Sequence, residues 1–214
     1  MKMIDKKEII SDRLANAINY QQLKELTENN IRSNNPDFLN EMERAYYEYR
    51  KLNLARMSRL EKVYKPTEEA LKVISRINSP QTWLVITEDW CGDSAQTIPV
   101  IFALASLNSN IELKFLLRDD NPDLMNLYLT GGKRSIPKLI VYDKSLNEIL
   151  LWGPRPAAAK AIAEELIRKG VNKQEMTKQI HFWYAKDGGY STEREIIELL
   201  DKNLMTNLKE QSFS

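Results

Sequence analysis

Cys91 is the only cysteine in the chain and stands in the run Trp90-Cys91-Gly92-Asp93-Ser94. The thiolate, not the thiol, attacks a disulfide or an electrophile, so the chemistry open to this run depends on what stabilises the anion. Ser94 can donate a hydrogen bond to the sulfur and favour the thiolate. A hydroxyl cannot act as a second thiol, so a mixed disulfide formed at Cys91 needs an outside thiol for its release. Asp93 opposes ionisation: a carboxylate a few ångströms away costs the thiolate about 1–4 kcal/mol, depending on the local dielectric. Glu88 and Asp89 carry charge of the same sign. Asp93 can equally serve as a capping residue for a helix start. The expectation is an accessible thiol, open to alkylation and less acidic than one with neutral neighbours. The alternative is a lone cysteine with a purely structural, buried role.

The flanking sequence supplies the elements that position this run. Trp83 to Thr87 is a short apolar stretch of β-formers and predicts a buried strand. Thr97 to Leu107 predicts a largely buried helix. Cys91 therefore falls where a strand hands over to a helix N-terminus, where free N–H groups and the positive end of the helix dipole favour an anion. Downstream, strands are predicted at 111–117, 138–142 and 146–151, and helices at 93–107, 122–130 and 156–169. Gly131-Gly132 closes the second of these helices. Upstream, Thr67 caps a helix that ends near Asn78-Ser79-Pro80. This order is α/β, with helices on both faces of a sheet.

Trp90-Cys91-Gly92 at such a turn resembles the active-site turn of thioredoxins, whose motif is Trp-Cys-Gly-Pro-Cys. Pro99 stands where they carry a helix-kinking proline, Ser135-Ile136-Pro137 resembles their cis-proline segment, and Gly153 follows the next strand as theirs does. The resemblance covers about Thr67 to Gly170 and is to bacterial, monothiol thioredoxin-like sequences. It implies a thioredoxin-like fold, a central mixed sheet with helices on both faces. It also implies that Ile136-Pro137 lies beside Cys91, with backbone groups free to pair with an extended client, and that Trp90 and Gly92 flank the bound substrate. The departures are Asp93 for the motif proline and Ser94 for the second cysteine. The buried acid of the preceding strand falls on Val85 and its lysine partner on Phe115.

Residues 1–66 predict a helical extension separate from the core, 67–170 the thioredoxin-like core, and 171–214 a helical extension packed on it. Arg44, Arg50, Arg56 and Arg59 interleave with Tyr46, Tyr47 and Tyr49, a pattern that reads as a solvated amphipathic face once the intermixed glutamates are counted. His181, Trp183 and Tyr184 read as the packing face of an added helix. With 31 basic against 30 acidic side chains, net charge gives no push toward nucleic acid or membrane surfaces. A charged N-terminus without an apolar signal segment, and a single cysteine, point to the cytoplasm. One histidine and one cysteine cannot make an ordinary zinc site, and no tightly bound cofactor is expected. Three functions fit these residues. The first is thiol–disulfide exchange with a client protein or small disulfide, using a low-molecular-weight thiol such as glutathione as resolving co-substrate. The second is a redox-inactive binding or scaffold module of the same fold. The third is glutathione-dependent transferase-like chemistry. Neither client nor oligomeric state is legible.

Overall fold

The computed structural model describes residues 6–211. Its centre is a four-stranded mixed sheet in the order β2-β1-β3-β4. β1 (Gln81–Thr87) runs parallel to β2 (Ile111–Leu117) and antiparallel to β3 (Lys138–Asp143), which pairs antiparallel with β4 (Glu148–Trp152). β1 is central and covered on both faces, so its sequence is a continuous apolar run. Trp83 and Val85 face one core, with Phe115, Leu139 and Val141. Leu84 and Ile86 face another, with Leu116, Ile140 and Tyr142. Val85 and Phe115 are register partners and both fully buried, so the position of the family's buried acid is an apolar cross-strand pair here.

Helices cover both faces, as expected for this class. The chain begins with α1 (Lys6–Leu14), α2 (Tyr20–Arg32), a single 3-10 turn at Pro36–Phe38, and α3 (Glu41–Val63). Capping boxes at Asn19/Gln22 and Asn40/Glu43 start α2 and α3. α4 (Glu68–Ser75) starts on the predicted Thr67 cap, and α5 (Gly92–Ala105) follows β1 directly. α6 (Pro122–Asn126) and α7 (Ala157–Arg168) complete the core order, and α8 (Lys173–Asp187) and α9 (Tyr190–Gln211) follow.

Residues 6–66 are not separate from the core. Leu23, Met57, Leu60 and Tyr64 belong to the same apolar cluster as Trp83 and Ile101. Tyr20 stacks on Phe102 with ring centroids 4.2 Å apart, an arrangement worth about 0.5–1.5 kcal/mol beyond burial alone. Ile18 forms an antiparallel bridge to Phe115, with N–H to carbonyl distances of 3.0 and 2.8 Å. The second core helix ends at Asn126 instead of 130, because Tyr128 turns inward to bond the Tyr142 hydroxyl at 2.7 Å and Glu148 at 2.8 Å. α8 runs to Asp187, whose carboxylate accepts the Gly189 N–H and the Ser191 N–H in the first turn of α9.

Candidate functional site

The Ile136–Pro137 peptide is cis. The Cys91 thiol donates to the Ile136 carbonyl across 3.6 Å, so the two segments meet. Gly153 is what allows the loop carrying Pro137 to close: it adopts φ +109°, and any Cβ there would collide with the Pro137 carbonyl oxygen. Ile136 and Pro137 are both buried.

Cys91 is the N-cap of α5, with φ −76° and ψ 116°, and has no side-chain capping bond. The neighbouring N–H groups of Asp93 and Ser94 and the Ser94 hydroxyl favour the thiolate, without making a capping bond to the sulfur. Ser94 is 2% exposed, and its hydroxyl lies 2.8 Å from that of Thr87, which fixes its rotamer. The expected accessibility is not found: Cys91 is only 8% exposed. Burial, and after it the charge of Asp93, pushes the thiol up to about 11, outweighing the favourable influence of these groups.

The cover comes from the two extensions. Tyr46 of α3 stacks on Trp90 at 5.1 Å, and the Arg118 guanidinium lies 4.9 Å from the same indole ring. The Asp89 carboxylate accepts from Arg50 at 2.8 Å and from Asn30 at 2.7 Å, and its backbone carbonyl accepts from Asn53 at 3.0 Å. From α8, His181 packs on Gly92. A Cβ on Gly92 would sit 2.7 Å from the imidazole Nε2 and 3.4 Å from an Arg56 nitrogen. The face of α3 bearing Tyr46, Arg50 and Arg56 therefore points at the motif and not into solvent.

Asp93 is not the helix cap. Its carboxylate accepts from Arg155 at 2.7–2.8 Å and from the Tyr184 hydroxyl at 3.0 Å. Asp89 is neutralised by Arg50. Glu88 is buried, which pushes its carboxyl up to about 7; its Oε1 accepts the Asp119 N–H at 2.8 Å. Of the three acids expected to burden the thiol, only Asp93 bears on it directly. His181 is held neutral, pushed down to about 4 by burial and by Arg56, with Nδ1 3.3 Å from the Gln96 amide.

Between α3 and α8 lies a cavity of about 300 Å³ whose floor is Trp90 to Asp93. Ile136 and Pro137 do not line it. No cluster of three or more metal-ligating side chains occurs among the described residues, and no described helix is long and apolar enough to cross a membrane.

Arg155, Arg56 and Tyr184 were not singled out as site residues by the sequence. Arg155 had one local signal, a charged residue fixed between Pro154 and Pro156 directly after the last strand. The chain's only histidine packs, as its apolar neighbours imply, and what it packs against is the motif glycine. Gly92→Ala is accordingly expected to cost about 1–3 kcal/mol through overpacking, read as a lower urea midpoint. His181→Ala in the same background should recover most of that loss. An unperturbed Gly92→Ala midpoint would mean that the imidazole swings away freely.

No curated protein matches the chain. Among solved structures it is similar to a protein of unknown function from Pseudomonas aeruginosa, known from a 1.5 Å crystal structure. The identity is 15%, the TM-score 0.60, and the match covers 94% of this chain and 99% of that one, a likeness of fold. An HIV epitope scaffold is 17% identical over 86% of this chain and 99% of its own, with a TM-score of 0.48. The family model described as thioredoxin matches residues 39–168, more than half of the sequence and the whole of the sheet. With the mixed sheet, the cysteine at the helix N-terminus and the proline loop beside it, this match means that the chain belongs to the thioredoxin family.

Proposed function

We propose that Cys91 is a monothiol exchange centre that works from a covered resting state in a reducing cytoplasm. The observation that carries this reading is the contact of the Cys91 sulfur, at the N-terminus of α5, with the carbonyl that precedes the cis Pro137. In the proposed reaction the Cys91 thiolate attacks one sulfur of a disulfide. A Cys91–sulfur bond forms, the original S–S bond breaks, and the other half leaves as a thiolate that takes up the proton Cys91 gave to solvent. An external low-molecular-weight thiolate, glutathione being one candidate, then attacks the mixed disulfide and releases Cys91 unchanged.

Burial of Cys91 favours a second reading, a thioredoxin-fold binding module with no redox turnover. A glutathionylated peptide with excess glutathione separates the two. Slow turnover that vanishes in Cys91→Ser and rises with pH supports exchange. No turnover up to pH 10 leaves the binding module. Insulin reduction by the natural chain should be negligible, since one cysteine cannot form an intramolecular disulfide. Ser94→Cys should confer measurable dithiol activity; its failure to do so would count against the register assigned to the motif.

A further inference from the structure

The cavity between α3 and α8 has a composition that an exchange centre acting only on extended protein clients does not need. It is closed on two sides by helices and takes its apolar walls from Tyr46 and Tyr49 on α3 and from Met176 and Ile180 on α8. Clefts of this size with aromatic walls and a few convergent polar groups suit small molecules. Its electrostatics are one-sided. Asp93 is the only carboxylate in the lining, and Arg155 cancels it. His181 is neutral. One cation of the lining remains. Lys173 lines the cavity from the first turn of α8 and is exposed, without an ion pair among the described residues. The N-termini of α5 and α8 add their positive ends on the same side.

We infer that this cavity binds a small, flat or apolar molecule bearing a carboxylate, with the carboxylate held by Lys173 and the apolar part between the tyrosines and Met176. The inference deepens the exchange reading, because Cys91 lines the same cavity and a sulfur on such a ligand would lie against it. The small thiol that resolves Cys91 is then an anionic one. The cavity's selectivity does not depend on exchange chemistry, and the two can fail separately.

The test therefore removes the thiol. In full-length Cys91→Ser, binding of 2-nitro-5-thiobenzoate, an aromatic carboxylate, is measured by equilibrium dialysis against neutral 4-thiopyridine. The anion should bind at least tenfold tighter, and its affinity should fall with added salt. Lys173→Gln, a change at an exposed site that does not threaten folding, should weaken the anion about tenfold and leave the neutral probe unaffected, in line with loss of one charge-assisted contact. Equal affinity for the two probes, or an anion affinity unchanged in Lys173→Gln, overturns the inference. If the charge preference is found while the natural chain shows no turnover with glutathionylated peptide, the cavity stands and the exchange reading falls.

Discussion

In the folded protein, iodoacetamide is expected to modify Cys91 at least a hundredfold more slowly at pH 7.5 than in urea-unfolded chain. A thiol at about 11 instead of its ordinary 9.0 carries about one hundredth of the thiolate at neutral pH, and the cover over the sulfur slows access further. The rate should climb with pH through about 11 and not level off near 9. The same difference has a stability consequence. The fold holds the thiol's proton more tightly than the unfolded chain does. The stability from this group is therefore fully present below about pH 9 and is lost as pH rises through about 11. Tyr46→Ala removes the ring stacked on Trp90 and should speed native alkylation about tenfold with an unchanged sheet signal in circular dichroism. A native rate close to the unfolded one would mean that the sulfur is neither covered nor disfavoured as an anion.

The second large effect belongs to Arg155. Its guanidinium holds Asp93, whose side chain is only 13% exposed, through two nitrogens. Arg155→Met leaves that carboxylate with the Tyr184 hydroxyl as its remaining side-chain donor. Breaking a buried pair from one side costs about 3–5 kcal/mol; with Tyr184 still bonded, about 3 kcal/mol is expected from urea denaturation. Asp93→Asn should cost less, because the amide keeps a hydrogen-bond acceptor for Tyr184. The double variant should be more stable than additivity allows. The thiol reports the same pair from the other side. Asp93→Asn should speed alkylation by removing the charge nearest the sulfur, and Arg155→Met should slow it. A stability loss under 0.5 kcal/mol in Arg155→Met would mean that solvent screens the pair.

The sequence carried the sheet and the motif, because both are local. Trp83 to Thr87 is apolar without a break since β1 is buried on two faces, and Cys91 follows it within four residues. The cover was not legible, for a geometric reason. Helical periodicity groups Tyr46, Tyr49 and Arg56 on one face of α3 but does not say what that face meets. Arginine and tyrosine at such positions read as solvent-facing by composition. What they meet is fixed by contacts that span the chain: Arg50 to Asp89 across 39 residues, Arg155 to Asp93 across 62, and Tyr184 to Asp93 across 91. The same limit applied to the thiol. A helix N-terminus and a hydroxyl can be read from the motif, whereas the cover over the sulfur comes from helices that precede Thr67 or follow Gly170.

The short bridge from Ile18 to Phe115 bears on where this molecule can be cut. It satisfies both backbone groups of Phe115 on the side of β2 that faces no other strand. Limited proteolysis that trimmed the chain to the family-matched segment, 39–168, would strip this bridge along with Tyr20 and Leu23. The outermost strand of the sheet would then present unpaired donors and acceptors beside bared apolar surface, a template for a second copy of the same fragment. The matched segment is thus a recognisable signature that leaves part of its core and one sheet edge to be covered by residues outside it. Its fragments should precipitate or associate edge to edge where the longer chain stays in solution.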